Sequence, residues 1–570
     1  MHFKKGTESS GGYALLIVIL FTGISLTIVA GALSWASQSA KYTDRNNEYL
    51  GTSAAAEAAT EKILTRISRD YQSGGEASVY SQLSAYAALV PTSTDDAYWS
   101  RYSFTDAQGN NNKTYVTRLA PTNYVSLQSQ YSGLSGVAAT YRIISNAKNN
   151  TSANNIVVGV GQDVQVASIP LFQFAIFYSM DMEINPGPNM TVSGRVHSNG
   201  SLYTQPQASL TFLSDVTAVG NIVANKKAGD PLVRTAGTIT YRGEHDSGVT
   251  SMNLPIGTNN SPDAVHAVLD IPPSGESATS LMGKQRYYNK ADLVILVSNN
   301  TVTATSGYAV DGGVTTIPAA QVNIFLTTNI TFVNKRENKT VKTTQIDVAK
   351  LNQWSATNTI LRSKIGRDVD SIYIADNRTQ TGSTEPGVRI INGQTLPSSG
   401  LTIATPDPIY VQGNFNCPAG ALGTTNTSGT KPSSLLGDSI NILSTAWSDA
   451  NSGLAIASRN ANDTTVNAAF LGGICVTTNG NYSGGVENFP RFLEDWSNNT
   501  FTYNGSMVVM FDSRIATAPW GGSDVYSPPA RNWAFDLNFM DPTKLPPGTP
   551  QILSMIRNRW SAVAPNSITF

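Results

Sequence analysis

The side chains best suited to nucleophilic or metal chemistry are few: four histidines, His2, His197, His245 and His266, and two cysteines, Cys417 and Cys475. His197 lies in GRVHSNGS at the end of a predicted strand, with no Gly-x-Ser-x-Gly nucleophile motif nearby, and reads as structural. Glu244, His245 and Asp246 are consecutive on a predicted loop, the wrong spacing for one metal-binding face. Neither cysteine stands in a Cys-x-x-Cys pair or beside a histidine, so no metal site is expected. In an oxidising compartment one disulfide, Cys417 to Cys475, is open to them. The alternative is two small buried apolar residues.

The most enzyme-like stretch is GGVENFPRFLEDW, Gly484 to Trp496, with Glu487, Glu494 and Asp495 among Phe489, Phe492 and Trp496. Two carboxyl groups beside aromatics can cleave a glycosidic bond when about 5 Å or about 6.5 to 9.5 Å apart. Arg491 with Glu494 and Asp495 on one short helix gives the simpler expectation of a salt-bridged structural cap. No catalytic residue, cofactor or metal is assigned.

The elements that must carry any such site begin with a run free of Asp, Glu, Lys and Arg from Ser9 to Ala40. Its centre, Tyr13 to Ala36, is almost wholly apolar and long enough to cross a bilayer core of about 30 Å. Lys4 and Lys5 precede it, which places the short N-terminus in the cytoplasm and the bulk of the chain outside. A cleaved secretory signal is the rival reading. Beyond it the chain lacks proline up to about Tyr71 and contains the run Ala54 to Ala59, so one nearly continuous helix is predicted from Tyr13 to about Arg69. Gly23, Thr27 and Gly31, four apart, form a small-residue face at which helices can approach closely.

A lysine-bearing leader ending in Gly12, then YALLIVILFTGISLTIVAGAL, then AAAEAA on the outer half, resembles the N-terminus of type IV pilin-like proteins, nearest to PilX-type minor pilins and general-secretion minor pseudopilins. The resemblance implies cleavage between Gly12 and Tyr13 by a prepilin peptidase, methylation of the new N-terminus, and a helix that includes Leu16 and Ile17 packing against other pilin-like subunits. Bulk subunits of that family carry Glu at the position of Ile17. Its absence implies a minor, initiating or tip role, or an anchored protein that is never assembled.

The outer chain is expected to be mainly β. A small β-domain, with a hairpin from Trp99–Phe104 to Tyr115–Leu119 and a second pair from Ala139–Asn146 to Ile156–Val166, follows a polar linker at Ser73–Ala77. From Pro170 short strands punctuated by Gly and Asn recur, as in MTVSGRVHSNG and IYVQGNFNCPAG, which fits a parallel β-solenoid, with an antiparallel β-sandwich as the alternative. The expected organisation is leader 1–12, helix 13–70, β-domain 71–169, solenoid-like 170–223 and 371–550, insertion 224–370 and C-terminal tail 551–570. Pro528, Pro529, Pro546, Pro547 and Pro550 predict an extended strap over the last coils. Stretches between Pro170 and Pro550 also resemble uncharacterised bacterial envelope proteins, a likeness that brings no activity.

A net charge of −1, with 14% charged residues, argues against a nucleic-acid partner. The sequence reading is a non-enzymatic, single-pass inner-membrane protein of the envelope, with its bulk periplasmic or extracellular. Its expected partners are the membrane, other pilin-like subunits and the peptidase. The alternatives are a surface adhesin or glycan-binding protein, with exposed Tyr and Trp of the second half as contacts to a surface glycan or protein ligand, and a polysaccharide-degrading enzyme.

Overall fold

The computed structural model describes residues 11–106, 108–308 and 314–565. His2, the leader up to residue 10 and the last five residues lie outside that range. The protein is mainly β, with one long N-terminal helix and several parallel sheets.

The helix runs Gly11–Ser81, longer than the predicted stop near Arg69. Gly75, with non-helical φ 68° and ψ −166° that glycine adopts at little cost, kinks it inside the polar Ser73–Ala77 segment, so the span consists of two helical stretches that meet where the linker was predicted. The helix has two environments. From Tyr13 to Arg45 every side chain is exposed. From Thr52 onward one face is buried, through Ala55, Ala56, Ala59, Ile63, Leu64, Ile67 and Tyr71, the three-and-four spacing of a helix laid on a sheet. The alanines come first along this face, so helix backbone and sheet can approach closely there.

That sheet centres on two long antiparallel strands, Ser135–Asn149 and Val157–Pro170, which realise the second predicted pair. The predicted first hairpin does not form. Tyr102–Thr105 and Tyr115–Arg118 each pair with Ser135–Asn149 instead of with one another, because that fifteen-residue strand offers both of them a partner edge. The expected C-terminal tail is instead a strand, Gln551–Val563, antiparallel to Val157–Pro170 along nearly its whole length. Its buried Ile552, Leu553 and Ile556 explain why it does not hang free.

Everything between Pro170 and Gln551 is thus inserted between two neighbouring strands of one sheet. In this body, strands of successive segments stack in parallel. Ile176 pairs with Val196, Val196 with Val216, and Val216 with His245. Met182, Leu202 and Ile222 align on a second sheet, and Met190, Leu210 and Ile239 on a third. The first repeats of this part are 20 residues apart, the separation between Asn185 and the Gln205 amide it caps, and the last, from Val216 to His245, is longer.

The chain then crosses to the far end and stacks back towards its start. Leu293 aligns with Ile372, Ile372 with Ile403, Ile403 with Leu435, Leu435 with Phe470, and Phe470 with Met507. Met507 in turn pairs with Ile176, so the two runs meet in a parallel seam and share one apolar column. Residues 224–370, read in the sequence as an insertion, contribute to these sheets. Thr238–Tyr241 and His245–Ser247 extend the first run, Leu293–Val297 starts the second, and Lys339–Asp347 pairs parallel with Thr384–Ile391.

Turn residues connect the stacked strands. Asn392 and Asn416 take positive φ of 54° and 53°, which asparagine tolerates better than most residues. The amides of Asn416 and Asn467 exchange hydrogen bonds with each other's carbonyls at 2.9 Å, and Asn504 donates to Asn467 at 2.7 Å, a ladder that satisfies buried polar groups from coil to coil. A second apolar cluster, including Phe172, Phe177, Met510 and Ile552, joins the body to the helix-bearing sheet. The proline strap lies against the body, though not over its last segments as predicted: Thr402 donates to the Pro547 carbonyl at 2.7 Å and Tyr287 to that of Gly548 at 2.9 Å.

Candidate functional site

The exposed half of the helix is long and apolar enough to cross a membrane. Tyr13, 80% exposed, sits with Gly12 in its first turns, and Leu16 and Ile17 project freely, Ile17 at 49%. A methyl added at Gly23 or Gly31 would meet nothing within 4 Å, and the Thr27 hydroxyl donates to the Gly23 carbonyl. The small-residue face is therefore unoccupied by the described residues, and its only hydroxyl is satisfied within the helix.

Where the helix meets the sheet, polar contacts fix it. Glu61 accepts two hydrogen bonds from Arg557 and one from Gln162. Glu76 accepts from Arg118 at 2.9 Å and from Tyr141 at 2.6 Å. Burial alone would raise the Glu76 carboxyl, but these donors outweigh it and hold the group below its ordinary range.

The cysteines do not pair. Both are buried free thiols, Cys417 in the turn after Asn416 and Cys475 beside Asn481, which donates to its sulfur at 2.9 Å. They behave as small core residues, and burial pushes both thiols up.

The enzyme-like stretch is dispersed. It forms a short turn at Val486–Asn488 and a strand at Pro490–Phe492 instead of one helix, so its charges point to different neighbours. Glu487 accepts from the Asn185 backbone, Arg491 pairs with Glu337, Glu494 accepts from the Ser444 backbone and hydroxyl, and Asp495 accepts from Ser497. Burial pushes Glu487 and Glu494 each up to about 7. Glu487, Arg491 and Glu494 thus tie together segments distant in sequence, and Asp495 caps a local turn.

The described histidines are also separate. Buried His197 lies between Thr217 and Asn199 and stacks on Phe177, and burial pushes it down to about 4. His245 stacks on Tyr241, and buried His266 lies 3.0 Å from Asp270. Among the described residues, no three His, Cys, Asp or Glu side chains gather as a metal site. The aromatics expected as exposed adhesive contacts are mostly interior: Trp496, Tyr410 and Tyr503 are buried core residues.

The outer face of the body holds a feature the sequence reading did not single out, a cleft of about 530 Å3. Its floor is Arg389, aligned with Gln345 and Tyr410 on neighbouring strands. Arg389 donates to Gln345 at 2.8 Å and to both carboxylate oxygens of Asp449, at 2.5 and 3.0 Å. The Trp447 indole donates to Asp449 at 2.9 Å.

Comparison with known proteins adds little. No family model matches the chain, and no curated protein matches it. Among solved structures it is similar to the competence-associated pilin ComZ from Thermus thermophilus, with 10% identity over 90% of this chain and 98% of that one, at a TM-score of 0.29. A likeness that weak bears on neither fold nor activity.

The cleft escaped the sequence reading for a physical reason. Gln345, Arg389, Gln412 and Asp449 come from four separate coils, and their convergence depends on strand register, which no local motif announces. The signal within reach was the alternation in VRIING and IYVQGN, which puts Arg389 and Gln412 on the outward side of their strands.

Proposed function

We propose that this chain is a non-enzymatic, membrane-anchored, pilin-like envelope protein of the minor-pilin or pseudopilin kind, which works by assembly with other pilin-like subunits and by display of its β-body. The observation that carries this reading is the divided helix. Its first half is apolar and bare, while its second half is clamped to a sheet by Ala55, Ala59, Ile63 and Ile67. An apolar helix uncovered by its own chain must be covered by lipid or by other helices. Lipid would serve before assembly, and packing of like helices, with Gly23, Thr27 and Gly31 at the contact, would replace it afterwards. The N-terminus is cytoplasmic on the lysine bias, the body lies outside, and Gly12 and Tyr13 flank the cut by a prepilin peptidase.

Intact mass and N-terminal sequencing of the membrane-extracted protein test this. A chain beginning at a methylated Tyr13 supports assembly. A chain beginning near Ala36 to Ala40 is a released protein and overturns the reading.

A further inference from the structure

We propose that the cleft around Arg389 and Gln412 is a binding site for a neutral oligosaccharide. The site goes beyond the assembly reading, since it lies on the outer face of the body, away from the long helix.

Its size, about 530 Å3, falls within the roughly 300 to 1,000 Å3 of small-ligand sites. Its chemistry is polar yet balanced. The one buried cation, Arg389, is neutralised by Asp449, so the floor offers no unpaired charge to a phosphate or a carboxylate. A nucleic acid would require several free cations.

The side chains left to recognise a ligand are amides and a hydroxyl. Gln394 and Gln412 line the cleft and make no side-chain hydrogen bond to the described residues, so each presents both donors and an acceptor. Thr445 adds an exposed hydroxyl at the rim. Amides paired in this way with hydroxyl-bearing rings give neutral hydrogen bonds in both directions. Ile330, Ile391 and Trp447 supply apolar wall against which the C–H faces of a sugar can rest.

An extended peptide fits less well. Such ligands gain affinity by pairing with a free strand edge, and the cleft's floor strands, Thr384–Ile391 and Ile409–Gln412, are hydrogen-bonded on both sides. The cleft therefore presents side chains and no open backbone.

The test is calorimetric titration of the detergent-extracted full chain with cellohexaose, chitohexaose and maltohexaose. At least one is expected to bind with a Kd of about 1 mM or tighter. The double variant Gln394→Ala, Gln412→Ala is expected to weaken that binding at least about tenfold, through loss of two hydrogen-bonding groups. Thr445→Trp, at an exposed position, is expected to block the cleft without touching the core. Each variant is checked for an unchanged unfolding midpoint. Absence of binding by all three sugars, or binding that either folded variant leaves unchanged, overturns the proposal. The N-terminal processing experiment has no bearing on this outcome, so the two readings fail separately.

Discussion

Glu61 on the long helix and Arg557 on the last strand, 496 residues apart in sequence, meet in a bidentate ion pair at 2.7 and 2.8 Å. The last strand is thus fastened to the long helix as well as to its neighbouring strand, and the β-body is carried between that strand and Val157–Pro170. Both side chains are largely exposed, 61% for Arg557 and 40% for Glu61, so the pair fixes register more than it adds stability. Arg557→Ala should cost below about 1 kcal/mol. Ile556, wholly buried one residue earlier, should cost about 2 to 4 kcal/mol when changed to Ala. Urea midpoints of the two variants check the contrast, and equal losses would mean that the last strand is held by charge.

The cysteines give a simple chemical test. With two buried free thiols, the native protein should react slowly with a thiol reagent, and the unfolded protein should release two equivalents without any reductant. Recovery of no free thiol after unfolding would establish the disulfide that the structure lacks.

A pH dependence follows from Asp407. Burial, with Asp376 and Asp438 adding like charge, pushes its carboxyl up to about 7, although the Asp376 amide and Thr405 hydroxyl donate to it. An unfolded Asp titrates near 3.9, so between about pH 4 and pH 7 the folded state binds the additional proton. The contribution is fully present below the unfolded value and is lost as pH rises through about 7. Asp407→Asn removes that titration. Relative to the wild type, it should gain stability between about pH 4 and pH 7, by up to about 1.4 kcal/mol for each unit crossed, and no more above that. Parallel stability–pH curves for the two proteins would refute the assignment.

Two glycines separate backbone demand from composition. Gly400 has φ 97°, and a methyl there would lie 2.1 Å from the Pro432 carbonyl oxygen, whereas one at Gly420 would meet nothing within 4 Å. Gly400→Ala should therefore cost about 2 kcal/mol or more, lowering the melting temperature by about 2 °C, and Gly420→Ala should leave it nearly unchanged.

Legibility in the sequence tracked how local each signal is. The membrane-length helix was readable because its apolar run is continuous, and the pairing of Ala139–Asn146 with Ile156–Val166 because a turn joins them. The recurrence of short strands was readable from Gly and Asn spacing, but the seam between Met507 and Ile176 was not, since it joins segments more than half the chain apart. The last strand read as a tail because Pro546, Pro547 and Pro550 stand before it, and its partner strand lies far upstream. Glu487 and Glu494 stand close in sequence, yet a turn and a strand, instead of a helix, direct them to different partners, the Asn185 amide and Ser444. The cleft needed register, which only the stacked sheets supply.

The helix face carries the last prediction. Gly23 and Gly31 have open space around them in the single chain, so leucine at both positions should leave the unfolding midpoint of the folded body unchanged. If that face packs against neighbouring helices, the added bulk would force them apart, since close approach there depends on the absence of a side chain. Thr27→Cys, between the two glycines, provides the reporter. Oxidative cross-linking of Thr27→Cys protein in membranes should yield a disulfide-linked dimer, and the added Gly23→Leu and Gly31→Leu changes should reduce that yield several-fold. An unchanged yield would place the contact on another face of the helix, and no dimer in either protein would leave lipid as the only cover for this half of the helix.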